Sequence, residues 1–305
     1  MDSVSLIIPA YNEEETTSTL MSIIDRTFRE HGIDGEVIFI DDGSTDGTGD
    51  LADKLAKKYD FMKVEHHIRN LGLTKAIETG FRNATDDIVV VIPADLQSDP
   101  EEDLPILLEK MDEGYDAVFG WRQGRKGSRI YVSKIYNYLS RILFGISIHD
   151  QNWIKAIRKN ALPDMDLRSD WHRYLAIIAH HKGYKIAEVK VREHPRKFGK
   201  SKFGISRIIF GVFDLISIKL LQSFEEKPMM IFGSIGGVMM SIGGLFGLYL
   251  VYLRLLGETI GDRPLLFLVV LLILVGILLF TLGFIAELIV TLREDVRRMR
   301  LELAR

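Results

Sequence analysis

Residues 229–253 and 265–290 are two runs of nearly uncharged, apolar sequence. As helices of about 25 residues, each is long enough to cross a hydrocarbon core of about 30 Å. The rest of the chain offers no surface large enough to cover two such helices, so a bilayer is their expected surrounding. The second run holds one carboxylate, Glu287, close to its end. Beyond it the chain carries Arg293, Arg297, Arg298, Arg300 and Arg305. Basic flanks stay on the cytosolic side, which puts this tail in the cytosol, and an even number of spans puts the preceding domain there too. Gly233, Gly236, Gly237, Gly243, Gly244 and Gly247 permit close helix packing, within one chain or between two copies.

Before these runs, residues 203–224 read as an amphipathic segment in which apolar Ile, Val, Phe and Leu outnumber the charges. That pattern suits a segment lying in the membrane interface. A basic stretch precedes it, with Arg192, Arg196, Lys197, Lys200 and Lys202, and reads either as solvated surface or as cations facing lipid phosphate. The net charge of −3 gives no reason to expect nucleic-acid binding, and the absence of cysteine excludes disulfides and thiolate-bound zinc. The opening MDSVSLIIPAYNEEE lacks a basic segment followed by a long apolar one. No signal peptide is expected, and a folded domain should begin at once in the cytosol.

That domain reads as strands alternating with helices. Strands are expected at residues 4–10, 36–40, 63–68, 88–92 and 117–121. Helices are expected from the Glu13–Glu14–Glu15 run to about 30, up to about 59, at 73–84, and around 104–111. Alternation of this kind implies a doubly wound, mostly parallel α/β sheet with right-handed crossovers. The first strand leads into PAYNEEE instead of a glycine-rich phosphate loop. A helix that opens on three glutamates repels a pyrophosphate. A bound nucleotide would therefore be held by base and ribose, with a cation handling its phosphates. Residues 170–181 read as an amphipathic helix behind the site.

The fourth strand runs into PADLQSDPE, where Asp95, Gln97 and Asp99 fall on alternate residues. Oxygens placed just past the carboxyl end of a buried strand suit Mg²⁺ or Mn²⁺, and that edge is where ligands bind in open α/β sheets. Asp150 lies in a later loop with His149, Gln151 and Asn152. Arg122, Arg129 and Lys134 belong to a basic segment that reads either as solvated surface or as a phosphate receptor, arginine being suited to fork onto phosphate oxygens.

PAYNEEE, FIDDGSTDGTG, RNLGLTKAIETGF and PADLQSDPE, followed by VKVREHPRKFGKSKFG and the apolar runs, resemble the family 2 glycosyltransferases of the GT-A fold over essentially the whole chain. The layout is similar to polyprenyl-phosphate glycosyltransferases, the group of dolichyl-phosphate mannose synthases and GtrB-type bactoprenol glucosyltransferases. The resemblance implies a nucleotide site of Pro9, Tyr11, Glu13, Asp41, Asp42 and Lys75. It implies a metal, Mg²⁺ or Mn²⁺, on Asp95 and Gln97, with Asp95, Asp150 and Arg129 as catalytic groups. Arg122, Arg129, Lys134, Arg192, Arg196 and Lys200 would receive the acceptor phosphate. The family's first metal-ligand position is Pro93 here, and its Phe-Arg pair after the acidic loop is Ile154–Lys155.

The expected organisation is a GT-A catalytic domain over 1–202, amphipathic interface helices over 203–228, a two-helix transmembrane hairpin over 229–292, and a basic cytosolic tail over 293–305. The expected activity is inverting transfer of a sugar from a UDP- or GDP-sugar to dolichyl or undecaprenyl phosphate at the cytosolic membrane face. Two other readings stay open. One is a transferase acting on a lipid-linked saccharide or growing polysaccharide, which needs a true base for a hydroxyl acceptor. The other, motivated by Pro93, is an inactive nucleotide-sugar-binding membrane scaffold. The expected partners are the donor, the lipid acceptor and the bilayer, with a homo-oligomer through the membrane helices also open.

Overall fold

The structure, a computed structural model, describes residues 3–124, 138, 140–164, 171–195, 219, 228–261 and 263–303. It forms two compact units, residues 1–208 and 209–305. The division falls inside the segment expected to hold interface helices, and most of that segment lies outside the described residues.

The first unit is built on a seven-stranded sheet. Its strands are β1 (Val4–Ala10), β2 (Gly35–Asp41), β3 (Met62–His66), β4 (Ile88–Val91), β5 (Ala117–Gln123), β6 (Lys155–Arg158) and β7 (Ile186–Arg192), in the order β3-β2-β1-β4-β6-β5-β7. Neighbours are parallel except β6, which runs antiparallel to both β4 and β5. Helices α1 (Glu14–His31), α2 (Thr48–Ala56), α3 (Leu73–Asn83), α4 (Pro100–Asp112) and α5 (Leu175–His181) cover the sheet. The central strands are continuous apolar runs because both faces are covered; all of Ile88, Val89, Val90 and Val91 is buried. Leu20, Met21 and Ile24 of α1, and Leu104, Leu107 and Met111 of α4, fill the core on one side.

Five strands answer to the expected runs, with small shifts at the ends. β3 stops at His66, and Ile68 stands fully exposed beyond it. Two strands give no such run. β6 is only four residues and opens on a lysine, while β7 sits at the sheet edge and carries Glu188, Lys190 and Arg192 among half-buried positions. Charged side chains on an edge strand discourage pairing with another chain. The helix expected over 170–181 begins only at Leu175, after a 3-10 turn at Trp171–Tyr174.

The second unit pairs α6 (Pro228–Leu255) with α7 (Pro264–Leu303). Both contain stretches long and apolar enough to cross a membrane, Pro228–Leu255 and Pro264–Leu292. Their backbones approach closely at glycines. A Cβ on Gly236 would lie 2.6 Å from the carbonyl oxygen of Gly276. Gly233, Gly236 and Gly243 are buried against α7, whereas the space beside Gly237 and Gly244 is open. Within this unit the small residues thus serve an intramolecular contact. Glu287, the one carboxylate of the second span, accepts the N–H of Met229 at 3.1 Å. It thereby satisfies one of the free donors that open α6.

Candidate active site

Every parallel strand ends at the same sheet edge, and antiparallel β6 begins there. That topology gathers the residues singled out in the sequence: 9–13 at the end of β1 and after it, 41–42 on and after β2, 93–99 after β4, Arg122 near the end of β5, and Asp150 just before β6.

The loops after β1 and β2 are interlocked. Asn12, at φ 57°, accepts the N–H of Thr45 at 2.8 Å, and its own N–H donates to Ser44 Oγ at 3.0 Å. Glu13 N–H donates to Thr48 Oγ1, and Glu14 accepts from Gly47 N–H. Asp41 is buried; it accepts from Ser44 N–H and pairs through Oδ2 with His66 Nδ1, both at 3.0 Å. Burial pushes its carboxyl up, but Ser44 and His66 together outweigh that and hold it below the usual range. The other nitrogen of His66 faces Asp53 at 3.1 Å. The bond to Asp41 raises the imidazole above its ordinary value against its own burial, and Asp53 adds to the rise. The first turn of α2 closes over this pair: a Cβ on Gly49 would lie 2.7 Å from Asp41 Oδ2.

Asp42 has a different job. Its oxygens accept from Leu71 and Gly72 N–H, each at 2.8 Å, and from His67, which also reaches Thr79. It fixes the loop that leads into α3. Lys75, in the first turn of that helix, pairs with Glu78 on the surface.

After β4, Leu96 takes φ 58° and turns the chain so that Asp95 Oδ1 accepts Gln97 N–H at 3.2 Å. The carbonyl of Gln97 accepts His194 N–H at 2.9 Å, tying this loop to the chain beyond β7. Asp99 caps α4 through Glu101 N–H. Asp99, Glu102 and His194 bring their donor atoms within 4.8 Å of one another. Buried Asp103 receives Ser98 Oγ–H at 2.6 Å, and burial pushes its carboxyl up to about 6. Asp95 and Gln97 offer a carboxylate and an amide oxygen on alternate residues. This set fits a hard divalent ion that keeps room for phosphate oxygens and water.

The other half of the edge is a cluster of paired charges. Arg122 forks onto Asp150, with Nε to Oδ2 at 2.6 Å and Nη2 to Oδ1 at 3.1 Å. Its Nη1 lies 3.5 Å from Glu193 and its plane lies over the Trp153 ring at 4.5 Å. Lys155 is 2% exposed and donates to the carbonyl of His172 at 3.0 Å. Burial pushes its ammonium down to about 8 against the pull of Asp150. His149 stacks on Trp121 and pairs with Glu188.

The expected set therefore divides. Pro9, Tyr11, Glu13, Asp41, Asp95, Gln97, Arg122 and Asp150 share the edge. Arg192, at the end of β7, is exposed. Arg129, Lys134, Arg196 and Lys200 lie outside the described residues. The sequence reading did not single out His66, Glu193 or His194, nor Lys155 for its burial. Lone histidines and glutamates carry no periodic signal, and the tie of His66 to Asp41 depends on strand pairing between β2 and β3.

Residues 5–165 match the model of the family described as "Glycosyl transferase family 2". The chain is 31% identical over 299 residues to a dodecaprenyl-phosphate galacturonate synthase of Rhizobium johnstonii, covering 94% of this chain and 87% of that protein. It is 33% identical over 303 residues to an undecaprenyl-phosphate 4-deoxy-4-formamido-L-arabinose transferase of Shewanella sediminis, covering 97% of this chain and 90% of that one. Among solved structures, a glucosyl-3-phosphoglycerate synthase of Mycobacterium tuberculosis, in complex with Mn²⁺, UDP and phosphoglyceric acid, superposes with a TM-score of 0.56. At 20% identity over 72% of this chain and 78% of that one, the likeness is one of fold.

Proposed function

Because the chain belongs to glycosyl transferase family 2, we propose that it moves a sugar from a nucleotide-sugar onto the phosphate of a polyprenyl phosphate. The observation that carries this reading is the extent of the match. Relatives named for transfer to dodecaprenyl or undecaprenyl phosphate align over 94% and 97% of the chain, well beyond the family domain. The donor is a UDP- or GDP-sugar and the acceptor a dolichyl or undecaprenyl phosphate. Both chain ends lie on the cytosolic side.

Asp41, with its lowered affinity for protons, stays ionised at neutral pH and accepts from the base or ribose, with Pro9, Tyr11 and Glu13 lining the approach. Asp95 and Gln97 hold Mg²⁺ or Mn²⁺, which supplies neutralising charge for the leaving diphosphate. The acceptor phosphate has a second pKa near 6 and is largely dianionic at neutral pH. One of its oxygens attacks the anomeric carbon as the bond from that carbon to the diphosphate oxygen breaks. The electron pair leaves with the nucleoside diphosphate, and the configuration inverts. No strong base is required, which agrees with the state of Asp150: both its oxygens are engaged by Arg122. A hydroxyl acceptor would need that carboxylate free to take a proton. Asp150 is therefore an orienting group.

The test uses the full chain in neutral detergent, a panel of UDP- and GDP-sugars, and mass spectrometry of the lipid product from undecaprenyl phosphate. One donor should yield a sugar-phosphate lipid, and Asp95→Asn should lower that turnover by about 10²–10³-fold while the thermal midpoint holds. Turnover of the variant near wild type would remove Asp95 from its role. No product with any donor would favour the scaffold reading.

A further inference from the structure

We propose, on the reading of Asp41 as a contact to base or ribose, that His66 is a positioning residue which, set between Asp41 and Asp53, fixes the Asp41 carboxylate for the nucleotide. His66 and Asp53 both lie outside the stretches PAYNEEE, FIDDGSTDGTG and RNLGLTKAIETGF. His66 closes β3, in register with Asp41 at the end of β2, and Asp53 sits in the middle of α2. Imidazole Nδ1 lies 3.0 Å from Asp41 Oδ2, and Nε2 lies 3.1 Å from Asp53 Oδ1. The other oxygen of Asp41, Oδ1, accepts Ser44 N–H at 3.0 Å. Both oxygens are thus held, and each keeps a second lone pair for a ligand donor.

This bracket selects the charge on the ring. A neutral imidazole has one N–H and one lone pair, whereas the imidazolium has two N–H groups. Each nitrogen of His66 faces a carboxylate oxygen, so only the imidazolium donates to both. Loss of one proton sets a ring lone pair against a carboxylate. The bond to Asp41, with Asp53 behind it, accordingly raises the ring above its ordinary value. Among the described residues these two are the charged groups that pair with the ring. Glu65 and His67 flank it along the chain and so turn to the other sheet face, where His67 meets Thr79 of α3. Asp50, Lys54 and Lys57 of α2 are exposed, and among the described residues no ion pair ties them to Asp41 or Asp53.

Helix α2 closes over the bond. A Cβ at Gly49 would lie 2.7 Å from Asp41 Oδ2 and 3.3 Å from His66 Cε1, so the first turn of α2 rests on the pair and leaves no room for a side chain. Asp41 is buried, and a buried carboxylate is costly unless it is paired. Among the described residues no lysine or arginine pairs with it, and His66 supplies the positive partner. The imidazole keeps 42% of its side-chain surface open, so it exchanges protons with solvent. A plain staple between β3 and α2 would use the same contacts, but nucleotide affinity would then ignore the charge on the ring. As a brace, the charged ring acts below its raised pKa. As pH rises through that value the second proton leaves, one carboxylate loses its donor, and nucleotide affinity falls.

Calorimetric titration of UDP and of GDP, each with Mg²⁺, into the full chain in neutral detergent tests this from about pH 6.5 to about pH 8.5, where the terminal phosphate is already largely ionised. The nucleotide that binds wild type should bind about tenfold more weakly at the upper end than at the lower. Asp53→Asn keeps an oxygen for Nε2 and removes the charge, so it should move that fall to lower pH. His66→Gln should bind about tenfold more weakly than wild type at the lower end and show no fall across the range. Wild-type affinity that is flat with pH, or an Asp53→Asn profile like that of wild type, would overturn the brace even if His66→Gln fails to fold. A lowered thermal midpoint in both variants with the wild-type binding profile retained would make the pair a staple of the fold and overturn the proposal. Binding of neither UDP nor GDP by wild type would overturn the nucleotide reading, and the brace with it. The expected profiles in a chain that transfers no sugar to undecaprenyl phosphate would support the brace and overturn the acceptor reading alone.

Discussion

Asp150 has both carboxylate oxygens on one guanidinium, and that guanidinium is itself stacked on Trp153. Arginine is required because its planar fork meets two oxygens at once, which an ammonium does not. With the pair nearly buried, removing one partner strands the other in a poorly solvated place, at a cost of about 3–5 kcal/mol. Arg122→Lys keeps the charge and loses the fork. It should lower turnover about 10–100-fold through misplacement of Asp150, with the Km for the nucleotide-sugar nearly unchanged in steady-state assays. The double variant Arg122→Ala with Asp150→Ala should be no worse than Asp150→Ala alone, since the two groups act as one unit. Additive losses would show that Arg122 meets substrate by itself.

At the scale of elements, β6 is the piece that makes the site possible. Reversing its direction brings the Asp150 loop to the edge where the parallel strands end. In the second unit, the hairpin of α6 and α7 depends on backbone contact, because lipid gives no hydrophobic gain for helix association. Gly236→Ile drives a side chain into the Gly276 carbonyl, whereas Gly244→Ile points into open space. The first should lower the thermal midpoint of the full chain in micelles by about 3–8 °C, and the second should leave it within about 1 °C. Equal shifts from both would place the helix contact elsewhere.

At the scale of the molecule, the arginines after residue 290 and the two membrane-length helices among the described residues support the proposal that both ends face the cytosol. A cysteine placed at Gly261 should react with an impermeant maleimide added to intact cells, and one placed at Asp2 should react only after lysis. The reverse pattern would overturn the topology and the use of a cytosolic donor. The sequence by itself determined the alternating α/β domain, the strands β1 to β5, the two membrane-length helices and the loops that meet at the edge. These rest on hydrophobic period, on run length and on polar residues closing each strand, all of which are local. Only the tertiary structure decided that β6 runs antiparallel, that His66 braces Asp41, that Asp42 fixes a loop, and that Arg122 grips Asp150. Each of these is a contact between residues 25 to 30 positions apart or a choice of strand direction. Local periodicity carries no record of which distant partner satisfies a buried charge, because that is set by burial once the sheet has formed.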